Sequence, residues 1–417
     1  MTNITLDSKK LQACIHCGLC LEACPTYLET GEEMSSPRGR LYLMKALEDG
    51  TITASDESFQ KHELSCLVCR SCETACPSGV EFGYLMEQAR NIIRKKSPNV
   101  PHQFVFTNVI GNKALTSLAQ LSTSLLAKLQ LGRGLWQAAN ALGLKRLASS
   151  LSLIPKSVPL SSSRQTMYPS LSKKKGDAAI LVGCIGDVFT SKINDATITV
   201  LRKLGYDVHT LPEITCCGSL AIHEGYHDHA ITLARKNVAT VLASKVDFFI
   251  SNIAGCGANL KNYGVQLGTA EAHEFRKKVY DISEFLYKYH YDELRGILGK
   301  SEQTIGYHSP CHLLHGQKIK DEPIELLKLI KGANVIALEE NDICCGSAGV
   351  YNIEHPDMAD ALLARKVTII NNAKPNVIAT GNAGCQMQLQ KGTPNTPVKH
   401  VIEILAKALA SHLTITR

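Results

Sequence analysis

Short apolar runs alternate with longer amphipathic stretches through the second half of the chain. Residues 178–183, 207–211 and 248–252 read as strands, with helical character between them, including 230–244. The same order returns at 304–308, 334–338 and 376–380, with a helix at 359–371, and both series close on matching tails, 279–286 and 398–405. Strands alternating with helices predict parallel sheets covered by helices. The first hundred residues lack this rhythm. There Leu41, Met44 and Leu47 recur at helical spacing behind Ser36, a suitable cap, and Pro37, suited to a first turn; residues 84–94 predict a second helix packed on the first. Between these regions Leu115, Leu118, Leu121, Leu125 and Leu129 share one helical face, as do Leu135, Ala138 and Leu142, with Trp136 at the border. Pro155, Pro159, the serines 161–163 and Pro169 then mark a linker. The fold class expected is α/β with an α-helical N-terminal part: a helical domain over 1–100, a helical connector over 101–175, and two duplicated parallel-sheet domains over 176–299 and 300–417.

Composition narrows the function classes. The 417 residues are 44% apolar and 20% charged, which excludes a disordered or fibrous chain. Apolar windows are interrupted well before the roughly 18 to 20 residues a bilayer span needs, and residues 1–10 are polar with no apolar run behind them, so neither a spanning helix nor an exported precursor is expected. The formal net charge of +7 is local: residues 88–176 hold fourteen Lys and Arg and no Asp or Glu, while the rest carries 31 basic against 38 acidic residues. Such a segment suits an anionic membrane surface, an acidic partner subunit, or a connector lying on its own protein. Nucleic acid ranks last, because interleaved aromatics and any reading motif are missing.

Sixteen cysteines in a large, unexported chain point to metal or redox chemistry rather than disulfides. They fall in four groups of four. Cys14, Cys17, Cys20 and Cys24 with Pro25, and Cys66, Cys69, Cys72 and Cys76 with Pro77, both read C-x2-C-x2-C-x3-C-P, the bacterial ferredoxin run. In that arrangement three close thiolates hold one 4Fe-4S cube and the fourth ligates the other. Cluster I would then take Cys14, Cys17, Cys20 and Cys76, and cluster II Cys66, Cys69, Cys72 and Cys24. A cube needs its ligands on tight loops whose amides also reach sulfur, and Gly18 and Ser71 are small enough for such an approach. Structural zinc and plain burial are the competing readings. Arg38 and Arg40, in the run Ser35-Ser36-Pro37-Arg38-Gly39-Arg40, face either a cluster or a partner, or are ordinary solvated charges.

The other two quartets are Cys184, Cys216, Cys217 and Cys256, and Cys311, Cys344, Cys345 and Cys385, spaced 127, 128 and 129 residues apart between copies. This is an internal duplication. Every one of these cysteines follows a predicted strand, so each set should converge at the carboxyl edge of its sheet, where open α/β folds bind ligands. A further iron-sulfur cluster, zinc, or no metal at all are the readings for each. His308, His312 and His315 flank Cys311, as structural histidines or as a nitrogen ligand; copy 1 lacks them.

This half resembles the cysteine-rich CCG domain family of heterodisulfide reductase subunits and of the iron-sulfur subunits of glycolate, lactate and anaerobic glycerol-3-phosphate dehydrogenases. The run Tyr307-His308-Ser309-Pro310-Cys311-His312-Leu313 is similar to that family's second-copy opening. Its copies end in C-x2-C, whereas here Asn259 and Gln388 stand at the last position, so the five-cysteine cluster that performs disulfide chemistry is not expected. The whole order, with Cys14 to Tyr27, Ser36 to Arg40 and Cys344-Cys345-Gly346-Ser347-Ala348-Gly349, resembles the iron-sulfur subunits of the glycolate oxidase family. That resemblance implies an electron-transfer subunit passing electrons from FAD in partner subunits, which oxidise glycolate to glyoxylate, towards quinone or another membrane acceptor. It implies a cytoplasmic protein, peripheral on the inner face of the cell membrane. No dinucleotide fingerprint, P-loop, nucleophile elbow or zincin motif is present, so no FAD and no catalytic residue is expected on this chain. Lactate and glycerol-3-phosphate partners remain alternatives, as does a thiol-disulfide enzyme of the heterodisulfide reductase kind.

Overall fold

The computed structural model describes residues 6–128, 131–154 and 164–415. Leu129 and residues 155–163, part of the predicted linker, lie outside them. The chain is mixed α/β, helical at its N-terminus and then twice an open parallel sheet.

The N-terminal region is built around its two cysteine runs. Ser36 accepts a hydrogen bond from the Gly39 amide and Pro37 opens the helix Pro37–Glu48, as the sequence predicts. The helix Phe82–Lys96 shares a core with it through Leu41, Met44, Leu85, Met86 and Ile93. The cysteine loops continue that core instead of hanging from it: Cys66 and Cys72 are part of it, and Cys14, Cys20 and Cys76 pack against it.

Copy 1 holds β1 (Met167–Tyr168), β2 (Gly176–Ile180), β3 (Tyr206–His209), β4 (Phe248–Ser251) and β5 (Val279–Asp281), in the order β1-β3-β2-β4-β5. Copy 2 holds β6 (Thr304–His308), β7 (Asn334–Ala337), β8 (Val377–Thr380) and β9 (Val398–His400), in the order β7-β6-β8-β9. The last eight are parallel within their sheets and follow one topology. The matching tails of the sequence are thus a fourth strand leading into the helices Ile282–Ile297 and Val401–Ile415. β1, in the 101–175 segment, is an added antiparallel edge on copy 1. One core crosses both copies, joining Ile180, Val208 and Ile250 to Ile305, Tyr307, Ala379 and Leu405; each sheet is covered by its own helices, and those helices pack on one another between the copies.

The basic segment folds back on the acidic remainder. Lys95 pairs with Asp228, Lys145 with Asp357, Arg164 with Asp187 and Asp195, Lys174 with Asp177 and Asp207, and Lys175 with Glu293. Much of its charge is therefore met within the chain, as expected of a connector lying on its own protein. Its leucines are less committed: Leu118, Leu121 and Leu125 of the helix Lys113–Lys128 are 55–62% exposed. Among the described residues no helix is long and apolar enough to cross a membrane.

Candidate iron-sulfur and four-thiol sites

Each N-terminal cysteine loop takes the same unusual backbone course. His16 and Gly18 have φ of 55° and 85°, and Val68 and Arg70, which occupy the same places in the second run, have 50° and 63°. A β-branched residue at positive φ costs about 1–3 kcal/mol and persists where the surroundings impose it. Alternating handedness turns successive amides inward, the geometry of an anion-binding nest. The Val68 amide donates to Cys66 Sγ at 3.3 Å, and the Ser71 amide holds Cys69 down against the burial that drives it well up.

Burial sorts the eight cysteines across the two runs, not run by run. Cys24, Cys66, Cys69 and Cys72 are all buried, at 6–8% exposure, whereas Cys14, Cys20 and Cys76 are half-buried and Cys17 is exposed. The buried four line one small pocket, with Arg40, Pro25 and Phe82 in its wall. Four thiols converging on one space, fed by inward amides, fit a thiolate-held cluster. Cys20 lies close enough to Cys14 and Cys24 to feel both, and burial pushes it up to about 11.

The four-thiol sites of the two copies also close up. Cys184 and Cys216 have sulfurs 3.7 Å apart, and Cys217 is hydrogen-bonded to Cys216 and Cys256. In copy 2 the Cys311 and Cys344 sulfurs are 3.9 Å apart, and Cys345 bonds both Cys344 and Cys385. Both sets sit past the carboxyl ends of the first three parallel strands, at the edge where the strand order reverses. The glycine after each cysteine pair takes a left-handed turn, Gly218 and Gly346 having φ of 78° and 85°, and in copy 2 it is required twice over, because a Cβ on Gly346 would lie 2.7 Å from the Ala359 carbonyl.

The copies differ in what surrounds the thiols. In copy 2, hydrogen bonds from Cys344 and Cys385 hold Cys345 well below the usual thiol range. His308 is fully buried with Nε2 unpartnered, and burial pulls it down to about 4. In copy 1 Leu181 stands where copy 2 has His308, and Cys184 is pushed up by its bond to Cys216 and by burial. His312 and His315 are engaged elsewhere. His312 Nε2 donates to the Val68 carbonyl at 2.9 Å, and His315 bonds Thr74 and the Asp342 carbonyl, so both tie copy 2 to the N-terminal cysteine loop. Asn259 donates to the Cys217 carbonyl and accepts from Gln266, while Gln388 accepts from Asn352 and donates to the Ala359 carbonyl. Both are spent on protein partners at the place of the family's fifth cysteine.

Nothing in the spacing of the cysteines signals how the sites stand to one another. Cys69, Leu67, Cys344, Tyr351 and Leu362 form one small core with Cys311 packed on it, so the buried N-terminal site abuts copy 2 directly. Tyr351 donates to the Ser65 carbonyl at 3.0 Å. Arg90 closes the other side: it donates to the Glu63, Leu64 and Cys66 carbonyls and, across the boundary, to the His223 carbonyl of copy 1. His102, Glu224 and Glu354 meet within 4.8 Å where connector and both copies join. Arg94 already pairs with Glu224 at 3.1 Å, which makes that group an ionic latch between modules.

A 4Fe-4S dicluster domain matches residues 10–80, and a cysteine-rich domain matches twice, at 178–261 and 305–390. The chain is 34% identical to the probable glycolate oxidase iron-sulfur subunit of Bacillus subtilis (strain 168), over 98% of this chain and 96% of that one. It belongs to the glycolate oxidase iron-sulfur subunit family. The glycolate oxidase iron-sulfur subunit of Escherichia coli (strain K12) is 30% identical over 96% of this chain and 94% of its own. A more distant relative, a fumarate reductase (CoM/CoB) subunit of Methanothermobacter marburgensis, is 27% identical over 96% of this chain and 73% of its own. The 4Fe-4S dicluster match spans both N-terminal cysteine runs, and the two cysteine-rich matches span the other two quartets.

Proposed function

We propose that this chain is the electron-carrying subunit of a flavin-dependent glycolate dehydrogenase complex, with FAD and substrate held by partner subunits. The observation that carries the reading is the sorting of the N-terminal cysteines. Cys24 joins Cys66, Cys69 and Cys72 around one buried cavity, the crossed pattern of a two-cluster ferredoxin, and leaves Cys14, Cys17, Cys20 and Cys76 for the outer site. A four-iron cube takes up and returns one electron at a time, which lets a two-electron flavin donor be drained in single steps.

The chain's own residues suit this task by position. The outer site presents Cys17 to solvent with Ile15 and Leu19 exposed at its rim, an apolar approach for a redox partner. The inner site is walled off from water, and its Cys69 lies against Cys311 of copy 2. The copy 2 quartet lies next in line: an iron-sulfur cluster there would extend the relay, whereas zinc, which has no redox chemistry, would make the site structural. Domains of 1–100, 101–175, 176–299 and 300–417 go with these roles. Asn259 and Gln388 argue against disulfide chemistry on either copy.

Purified without oxygen from a tagged chain, the complex should contain a flavoprotein and at least about eight irons per chain with matching sulfide, as two cubes require. A folded, active preparation devoid of iron and inorganic sulfide would remove the reading. Delivery to quinone at the inner face of the cell membrane is supported by the exposed leucines of the helix Lys113–Lys128. Leu118→Asp with Leu121→Asp should abolish co-sedimentation with vesicles of anionic phospholipid; unchanged binding removes that face from the membrane. Charge reversal at Lys95 or Lys145 is a poorer probe, because each is paired with an aspartate of a cysteine-rich copy.

A further inference from the structure

Arg38 and Arg40 stand two residues apart on one helix, and the fold treats them in opposite ways. Arg38 is half-exposed beside Gly18 of the outer cysteine loop and spends its guanidinium on Glu33, with bonds of 2.6 and 3.2 Å to the two carboxylate oxygens. Arg40 is 1% exposed, the bulkiest of the fully buried side chains. Its Nε donates to the His62 carbonyl at 2.7 Å, Nη1 to Thr26 Oγ1 at 3.2 Å, and Nη2 to Ser65 Oγ at 3.3 Å. Nη1 also lies 4.0 Å from Cys24 Sγ, and the side chain lines the cavity shared by Cys24, Cys66, Cys69 and Cys72. The buried carboxyl nearby, Glu63, makes no hydrogen bond to it.

We propose that Arg40 is a positioning residue that raises the reduction potential of the inner centre above that of the outer one, and so directs electrons inward toward copy 2. The inference rests on the two-centre reading given above. A centre held by four thiolates is anionic and gains one further negative charge on reduction, so a fixed cation beside it favours the reduced form. Inside the protein that preference is large, because little water screens it. Arg38, beside Cys20 but half-exposed and neutralised by Glu33, offers the outer centre far less. The transfer involves one electron: the outer centre is oxidised, the inner one reduced, the upstream reductant is a reduced flavin, and no bond or proton changes hands.

The test is an EPR-monitored redox titration of the full chain, purified without oxygen with its clusters in place, dithionite serving as reductant. In the wild type the inner centre should be reduced first, the outer signal being identified by its loss in Cys17→Ser. Arg40→Gln, which keeps hydrogen bonding but removes the charge, should shift the inner potential down and leave the outer one in place. Arg40→Lys should stay near the wild type, and Arg38→Gln should leave the inner potential in place and move the outer one far less than Arg40→Gln moves the inner. Reduction of the outer centre first, or an Arg40→Gln variant with full iron content and an unmoved inner potential, overturns the proposal. If Arg40→Gln loses iron, the order of reduction in the wild type decides. Wild-type protein with far fewer than about eight irons per chain overturns it by removing the two-centre reading itself.

Discussion

Replacing Cys24 with serine should empty the inner centre, although Cys24 belongs by sequence to the first run. In the fold its sulfur shares a buried cavity with Cys66, Cys69 and Cys72, and its hydroxyl neighbour Thr26 and the Arg40 guanidinium hold it there. Serine is a far poorer ligand for iron than a thiolate, and one lost corner in a buried site leaves no room for a replacement ligand. We expect loss of about four iron atoms per chain, with the EPR signal of the outer centre retained. Cys76→Ser should do the converse, damaging the outer centre and sparing the inner. The outcome that defeats this is simple to read: Cys24→Ser losing the outer signal, or Cys76→Ser the inner one, would mean that each run holds its own cube.

Glu63→Gln should abolish a pronounced loss of stability at alkaline pH. Glu63 is fully buried and neither carboxyl oxygen has a hydrogen-bond partner. Burial pushes its pKa from 4.5 up to about 8, with Arg40 and Arg90 pulling the other way. A raised carboxyl keeps its proton in the folded chain at pH values where the unfolded chain has lost it. Its contribution is therefore complete below about pH 4.5 and is lost as pH climbs through about 8. The displacement corresponds to about 5 kcal/mol in all, of which about 2 kcal/mol falls between pH 6 and pH 8. An anionic cluster close by would disfavour the carboxylate further, so the sign stands with the centre filled. The apparent melting temperature of the wild type should drop over that range while that of Glu63→Gln stays flatter; parallel curves would show that Glu63 is ionised in the fold.

Much of the architecture was legible because it repeats. The offsets of 127, 128 and 129 residues between cysteines, and the strand runs that end at each of them, gave the duplication and the parallel sheets. The capped helix at Pro37–Glu48 was legible too, since Ser36 and Pro37 act on neighbours within one turn. The two-residue arginine spacing was not. Arg38 and Arg40 look alike in a string of residues, and only the packing of His62, Ser65 and Thr26 around one of them separates a surface ion pair from a buried cation. The basic segment left several readings open for the same reason, because its aspartate and glutamate partners lie up to 212 residues away.

The sequence alone determined what each stretch of chain can hold: tight thiolate loops, two cysteine-rich sheets, no flavin fingerprint. Spacing along a backbone fixes such local geometry directly, since a few bonds separate the residues concerned. The tertiary structure decided which thiols share a cavity, which centre is buried beside a cation, and that the inner one abuts copy 2. Those relations depend on contacts such as Val68 with His312 and Ser65 with Tyr351, formed across more than two hundred residues. Burial and electrostatic environment are properties of the packed whole, and no periodicity in the chain encodes them.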